Sequence, residues 1–219
     1  MPAVQALQDA ITFQTGDNPG SVLPRTFQSI VTDGTGGVSA PATETINIVE
    51  ANPTVALHAA NRTVGDSAAF AIVPNATVSS TETHNLQGGK LIVSLTNGTS
   101  RDQLAIGAHG KSGKGSVSVS GNRVSVNGVV VGTFSGGIGT TPLEIDFNSH
   151  ATFADAQAVA RSITFRSIGH FAHQTDVQFQ LFDGDGGISD IASTTLTIIH
   201  GHNGGGPPSG GGPGNGHHG

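Results

Sequence analysis

Apolar positions in this chain come in short bursts, and most of them follow a period of two. Ser116-Val117-Ser118-Val119-Ser120 alternates, as does Leu143-Glu144-Ile145-Asp146-Phe147. That period sends successive side chains to opposite faces of a strand, one dry and one wet. The bursts stop at turn residues. Lys90–Leu95 ends at Asn97-Gly98, 116–120 meets Gly121-Asn122, and Arg123–Val126 turns at Asn127-Gly128 into Val129–Phe134. Asn-Gly suits the type I′ turn, whose twist matches that of paired strands. Asp176–Phe182 and Ile188–Ile199 read as a final hairpin. One helix interrupts the pattern: Thr152-Phe153-Ala154-Asp155 is a capping box in front of Ala156–Arg161. Many short strands with a single connector helix predict an all-β, antiparallel two-sheet sandwich. Its expected core is Phe70, Leu91, Val93, Leu104, Ile106, Phe134, Ile145, Phe147, Ile163, Phe165, Phe179, Leu181, Leu196 and Ile198.

The pattern repeats. QALQDAITF at 5–13 returns as QAVARSITF at 157–165, and DGTGGVSAPATETINIV at 33–49 returns as DGDGGISDIASTTLTII at 183–199. The offsets are 152 and 150 residues, so one copy has lost two residues between the blocks. Residues 1–49 therefore match the last third of the unit that follows. The expected organisation is the C-terminal part of a preceding repeat (1–49), a linker (50–53), a complete sandwich (54–199) and a Gly/Pro/His-rich flexible tail (200–219). The strands expected in the partial unit lie around Ile11-Thr12-Phe13, Arg25–Val31 and Thr43–Val49. They lack the earlier strands of a sandwich. The segment is thus expected to pair with neighbouring repeats or to self-associate through its open edges and the apolar patch of Ile11, Phe13, Phe27, Ile46 and Ile48.

Composition narrows the possible functions. Lys and Arg total 9 against a formal charge of −6, which argues against nucleic acid and against anionic membrane surfaces. No apolar run approaches the roughly 20 residues of a membrane span, and the first residues do not read as a signal peptide. The absence of Cys removes disulfides and thiolate chemistry. No paired carboxylates, nucleophile elbow or Ser/His/Asp arrangement stands in a recognisable frame, so no enzyme activity is expected. Gly132–Gly139 follows a strand without opening a helix and is no phosphate loop. Asp102 reads as a turn residue rather than a general base. The ten His are scattered or lie in the tail (His200, His202, His217, His218), where a floppy Gly-His run binds metal weakly.

Several segments in order resemble the cadherin-like, immunoglobulin-like tandem repeats of giant bacterial surface and type I-secreted proteins. They are VPNATVSS, GGKLIVSLTNGTSRDQLAI, VSVSGNRVSVNGVVVGTFSGGIGTTPLEIDFN, AQAVARSITF and the DGDGG hairpin. In the partial copy the matching stretch is ITFQTGDNPGSVLPRTFQSIVTDGTGGVSAPATETINIV. The resemblance covers nearly everything except the tail. It implies a secreted or cell-surface location, arrays of rigid sandwiches, calcium near the junctions, and a stalk-like or adhesive role toward an unknown surface ligand. The alternative is a carbohydrate- or surface-ligand-binding accessory module, against which stands an aromatic content made up of Phe alone.

Asp183-Gly184-Asp185-Gly186-Gly187, with Asp190 close by, is the candidate calcium site, because calcium takes six to eight oxygens and Gly lets a backbone curl around it. A plain hairpin turn is the competing reading. The last strand runs from this loop to the exit of the unit, which places the loop beside the entry linker. Glu50, Asn52, Asp183 and Asp185 are then expected around one ion. In the partial copy, Asp33 begins the matching loop, with Thr35 where the second copy has Asp185.

Overall fold

The computed structural model describes residues 2–14, 23–49, 51–65, 68–81, 85–108, 115–169 and 171–199. Strand is the prevailing regular structure, 47% against 9% helix in two helices. The first 49 residues hold helix α1 (Pro2–Asp9) and a hairpin of β1 (Arg25–Ser29) and β2 (Ala42–Ile46). There follow β3 (Thr54–Ala56), β4 (Arg62–Gly65), β5 (Phe70–Ala71), β6 (Thr77–Ser79), β7 (Lys90–Thr96), β8 (Asp102–Ile106), β9 (Val117–Ser120), β10 (Arg123–Val126), β11 (Val129–Gly136) and β12 (Leu143–Phe147). Helix α2 (Phe153–Ser162) leads into β13 (Ile163–Ser167), β14 (His173–Phe182) and β15 (Ala192–Ile199).

One eight-stranded sheet runs in the order β4-β15-β14-β7-β12-β11-β10-β9, and a three-stranded sheet in the order β5-β13-β8. β3 and β6 form a short pair, and β1 and β2 form another. Alternation along β12 and β14 sends Leu143, Ile145, Phe147, Val177, Phe179 and Leu181 inward, all buried. The same core takes Ile163 and Phe165 from β13 and Val159 from α2. Most of the expected core residues are fully buried, whereas Phe70, Ile106 and Phe134 pack at its margin. The three-stranded sheet and α2 cover one face of the large sheet, giving the sandwich-like, all-β layering.

The turns follow their residues. Asn127 (φ 52°) and Gly128 (φ 83°) both take the left-handed conformation that a type I′ turn requires between β10 and β11. α2 carries the expected cap: Thr152 Oγ1 accepts from Asp155 N, and Asp155 Oδ2 accepts from Thr152 N at 3.0 Å. Its underside is lined by Ala156, Ala158 and Ala160, small enough to lie close to the strands.

Three expectations need correction. The sandwich is not wholly antiparallel, because β4 joins β15 in parallel, Leu196 opposite Arg62 and Ile199 opposite Gly65. The segment 57–61 carries the chain from the β3–β6 pair to the far side of β15, and β4 then runs in the direction of the strand it meets. Residues 2–9 form a helix where no element was expected. Ile11-Thr12-Phe13 is not in a strand, since no other segment of the described residues lies alongside to pair with it. The expected tail, 200–219, and Glu50 lie outside the described residues.

Candidate functional site

Two loops of this protein are built on the same plan. In the second, Asp183 Oδ1 accepts from the backbone N–H groups of Asp185 (3.2 Å) and Gly187 (2.8 Å), while Asp183 N donates to Gly187 O at 3.1 Å. In the first, Asp33 Oδ1 accepts from Thr35 and Gly37, both at 2.9 Å, and Asp33 N donates to Gly37 O at 3.0 Å. Beyond each loop a serine repeats the pattern. Ser189 N donates to Leu181 O and Leu181 N donates to Ser189 Oγ; Ser39 and Val31 make the same two bonds. The glycines explain the curl: Gly184 (φ 102°) and Gly186 (φ 132°) match Gly34 (φ 78°) and Gly36 (φ 103°), conformations a side chain resists. At Gly184 a Cβ would also stand 2.6 Å from Gly89 N.

The surroundings of the two loops differ. Asp33 is on the surface, and the N–H donors of Thr35 and Gly37 hold its carboxyl below the usual range. Asp183 is 1% exposed, and its Oδ2 has no hydrogen-bond partner among the described residues. The space in front of that oxygen exists because Gly187 has no side chain. A Cβ there would collide with Asp183 Oδ2 and stand 3.0 Å from the carbonyl oxygen of Ala51. The linker therefore does reach the loop, as expected. Asn52 is held by a bond from Ile188 N to its Oδ1 (3.1 Å), which commits its amide oxygen to the loop backbone.

Both carboxylate oxygens of Asp185 are withdrawn from solvent. Asp190 is exposed and lines a small cleft of about 110 Å³ with Asn52, Pro53, Thr54 and Ile188. Asp33 belongs to the other loop. Among the described residues no group of three or more His, Cys, Asp or Glu side chains gathers as metal ligands do. The oxygens that border the gap at Gly187 are Asp183 Oδ2 and the Ala51 carbonyl, hard donors of the kind calcium takes and short of its usual six to eight ligands.

The opposite end of the unit holds a polar cluster around Asp102, which does serve as a turn residue there. Asp102, the first residue of β8, is fully buried. Its Oδ2 accepts from Thr99 N (2.7 Å) and Thr99 Oγ1 (3.1 Å), which makes it the cap of the 99–102 turn, and it lies 3.0 Å from His173 Nε2. Ser167, directly across the β8–β13 ladder from Asp102, is also buried. The two residues of the Asp102–His173 pair are 71 positions apart, and only the pairing of distant strands brings them together. The cluster is not arranged as a nucleophilic triad: His173 Nδ1 faces Phe171 O (3.1 Å) and Nε2 faces Asp102, so neither nitrogen is directed at Ser167 Oγ.

A cavity of about 360 Å³ between α2 and β10 is lined by Asn127, Asp155, Gln157 and Arg161. All four are engaged in the fold: Arg161 Nε bonds Ala76 O, Gln157 bonds Val78 N, Asn127 bonds Gly115 N, and Asp155 caps the helix. No helix among the described residues is long and apolar enough to cross a membrane. No protein-family profile matches the chain, and no curated protein resembles it at a significant level.

Proposed function

We propose that this chain is a structural, adhesive repeat module of a secreted or cell-surface protein, a cadherin-like sandwich preceded by part of another, with calcium stiffening the junction between them. The observation that carries the reading is the convergence of loop and linker: a buried carboxylate oxygen without a partner, Asp183 Oδ2, faces the Ala51 carbonyl across the gap left by Gly187. An unpaired buried carboxylate oxygen is costly, and a bound cation removes that cost. Asp183, Asp185 and the Ala51 carbonyl would hold the ion. Its effect would be mechanical and electrostatic, tying the entry segment to the final hairpin. The matched hydrogen bonds of the two loops support the tandem-repeat reading.

Calorimetry of the chelator-treated protein tests this. Millimolar calcium should raise the melting temperature, because a ligand selective for the native state stabilises it by mass action. Asp183→Asn/Asp185→Asn should lose the shift. If the wild-type protein shows no calcium-dependent shift, the loop is only a turn.

A further inference from the structure

The N-terminal hairpin copies the C-terminal one but lacks one of its neighbours. β1 pairs with β2 as β14 pairs with β15, Arg25 opposite Ile46 and Thr175 opposite Leu196. The match continues past the strands, where Thr32 bridges to Val38 and Phe182 to Ile188. In the complete unit the other edge of β14 is taken by β7, antiparallel, with Val177 opposite Leu95, Phe179 opposite Val93 and Leu181 opposite Leu91. Among the described residues, no strand stands on the other edge of β1.

The face beside that edge is one that a strand would help to cover. Phe27, Ser29 and Val31 correspond to Val177, Phe179 and Leu181, all three of which are buried. Phe27 is 41% exposed where Val177 is 0%, and Ser29 and Val31 are half-buried. Helix α1 borders the same face. Gln8 Nε2 donates to Ser29 Oγ at 3.4 Å, and a cleft of about 240 Å³ between helix and hairpin is lined by Ile11, Phe27, Ser29 and Ala42 among others. A free strand edge beside a partly apolar cleft takes an added strand: main-chain hydrogen bonds supply the affinity, and alternate side chains the selectivity.

We infer that the free edge of β1 is a binding site for an extended segment with the pattern of β7, seven residues long, apolar at alternate positions and entering antiparallel. The register follows from the β14–β7 ladder. Positions equivalent to Leu91, Val93 and Leu95 come to stand opposite Val31, Ser29 and Phe27. A second copy of this chain fits the edge less well. Its β7 is held in its own sheet between β14 and β12, and its β1 offers Arg25, Phe27 and Ser29 on the matching face, with one apolar residue among the three. The inference rests on the tandem-repeat reading and adds to it the partner of the incomplete unit and the register of their pairing.

The test uses the full chain and a fluorescent synthetic peptide of residues 88–98. Anisotropy should show saturable binding, a scrambled peptide of the same composition should bind far more weakly, and Phe27→Asp in the chain should weaken binding about ten-fold or more. The chain has no Cys, so Ser29→Cys introduces a single thiol. Under mild oxidation it should join a peptide carrying Val93→Cys and not one carrying Ile92→Cys or Ser94→Cys, because a slip of one residue turns the side chain to the other face. The inference is overturned if the peptide does not bind at millimolar concentration, if the scrambled peptide binds equally, or if Ser29→Cys joins all three peptides alike. Association of the chain that persists at saturating peptide also overturns it, since a second copy then holds the edge. Should Phe27→Asp disrupt the hairpin, the cross-linking pattern decides. Failure of the peptide while the calcium-dependent shift persists overturns this inference alone, and a bound, correctly registered peptide upholds it even where calcium gives no shift.

Discussion

Residues 11–13 and 163–165 both read Ile-Thr-Phe, yet the second triplet is a buried strand and the first is not a strand at all. Ile163 and Phe165 are 0% and 1% exposed, while Ile11 and Phe13 are 51% and 50% exposed. The neighbours make the difference, since β13 lies between β5 and β8. The hairpins repeat the lesson with their pairing intact. β1 and β2 pair Arg25 with Ile46, and β14 and β15 pair Thr175 with Leu196, the same register 150 residues on. β14 continues into the sheet through β7, whereas among the described residues β1 pairs with β2 alone. Local sequence sets the hairpin, its loop and its register, and burial comes from strands far away in the chain.

Truncating equivalent residues should show the largest contrast. Leu196→Ala should cost about 2–5 kcal/mol, as for a large residue in a closed core. Ile46→Ala, at the matching position, should cost roughly 0.5 kcal/mol. Denaturant unfolding measures both, and equal costs would mean that the N-terminal hairpin shares the core of the complete unit.

The next effect concerns association. Ile11, Phe13 and Phe27 are exposed, and β1 offers an open edge. In sedimentation, residues 1–199 should associate with rising concentration and residues 50–199 should stay monomeric. A strictly monomeric longer chain, with 10–49 protected from hydrogen exchange, would show that the segment docks on its own unit.

The smallest effect separates the two loops by pH. Asp33 is held below its ordinary value of 3.8 by the N–H groups of Thr35 and Gly37. A carboxyl lowered in this way supports its loop above 3.8 and loses that support as the pH falls through its folded value, on the acid side. The amide resonances of Thr35 and Gly37 should therefore titrate with a midpoint below 3.8, and Asp33→Asn should remove the titration. A midpoint above 3.8 would mean the loop does not hold its Asp in solution.

What the sequence made legible was local chemistry. Asn127-Gly128 marked a hairpin and Thr152/Asp155 a helix start, because each acts over two to four residues. Alternation along Leu143–Phe147 and 176–182 picked inward residues correctly. α1 carries no comparable cap, and the signal that finds it is its alignment with α2 across the repeat: QALQDA against QAVARS. The parallel placement of β4 was not legible, since Arg62-Thr63-Val64-Gly65 has no turn to point it at β15, 134 residues away at Leu196. The Asp183 loop could be placed beside Asn52 from topology alone. Asp102 and His173 could not be, because nothing in either segment refers to the other.

The parallel pairing of β4 with β15 has a consequence for a module held in a chain under tension. A pull toward the N-terminus loads the Asn52–Ile188 bond and the β3–β6 pair first and then reaches β4 at Arg62, while a pull toward the C-terminus leaves β15 at Ile199. The two strands run in the same direction, so opposed forces slide them along each other. Their hydrogen bonds are then loaded together in shear rather than opened one by one from an end. Resistance to stretching is a matter of the unfolding rate under load, and once the β3–β6 pair has given, the outermost ladder of the sheet bears it, four residue pairs acting at once.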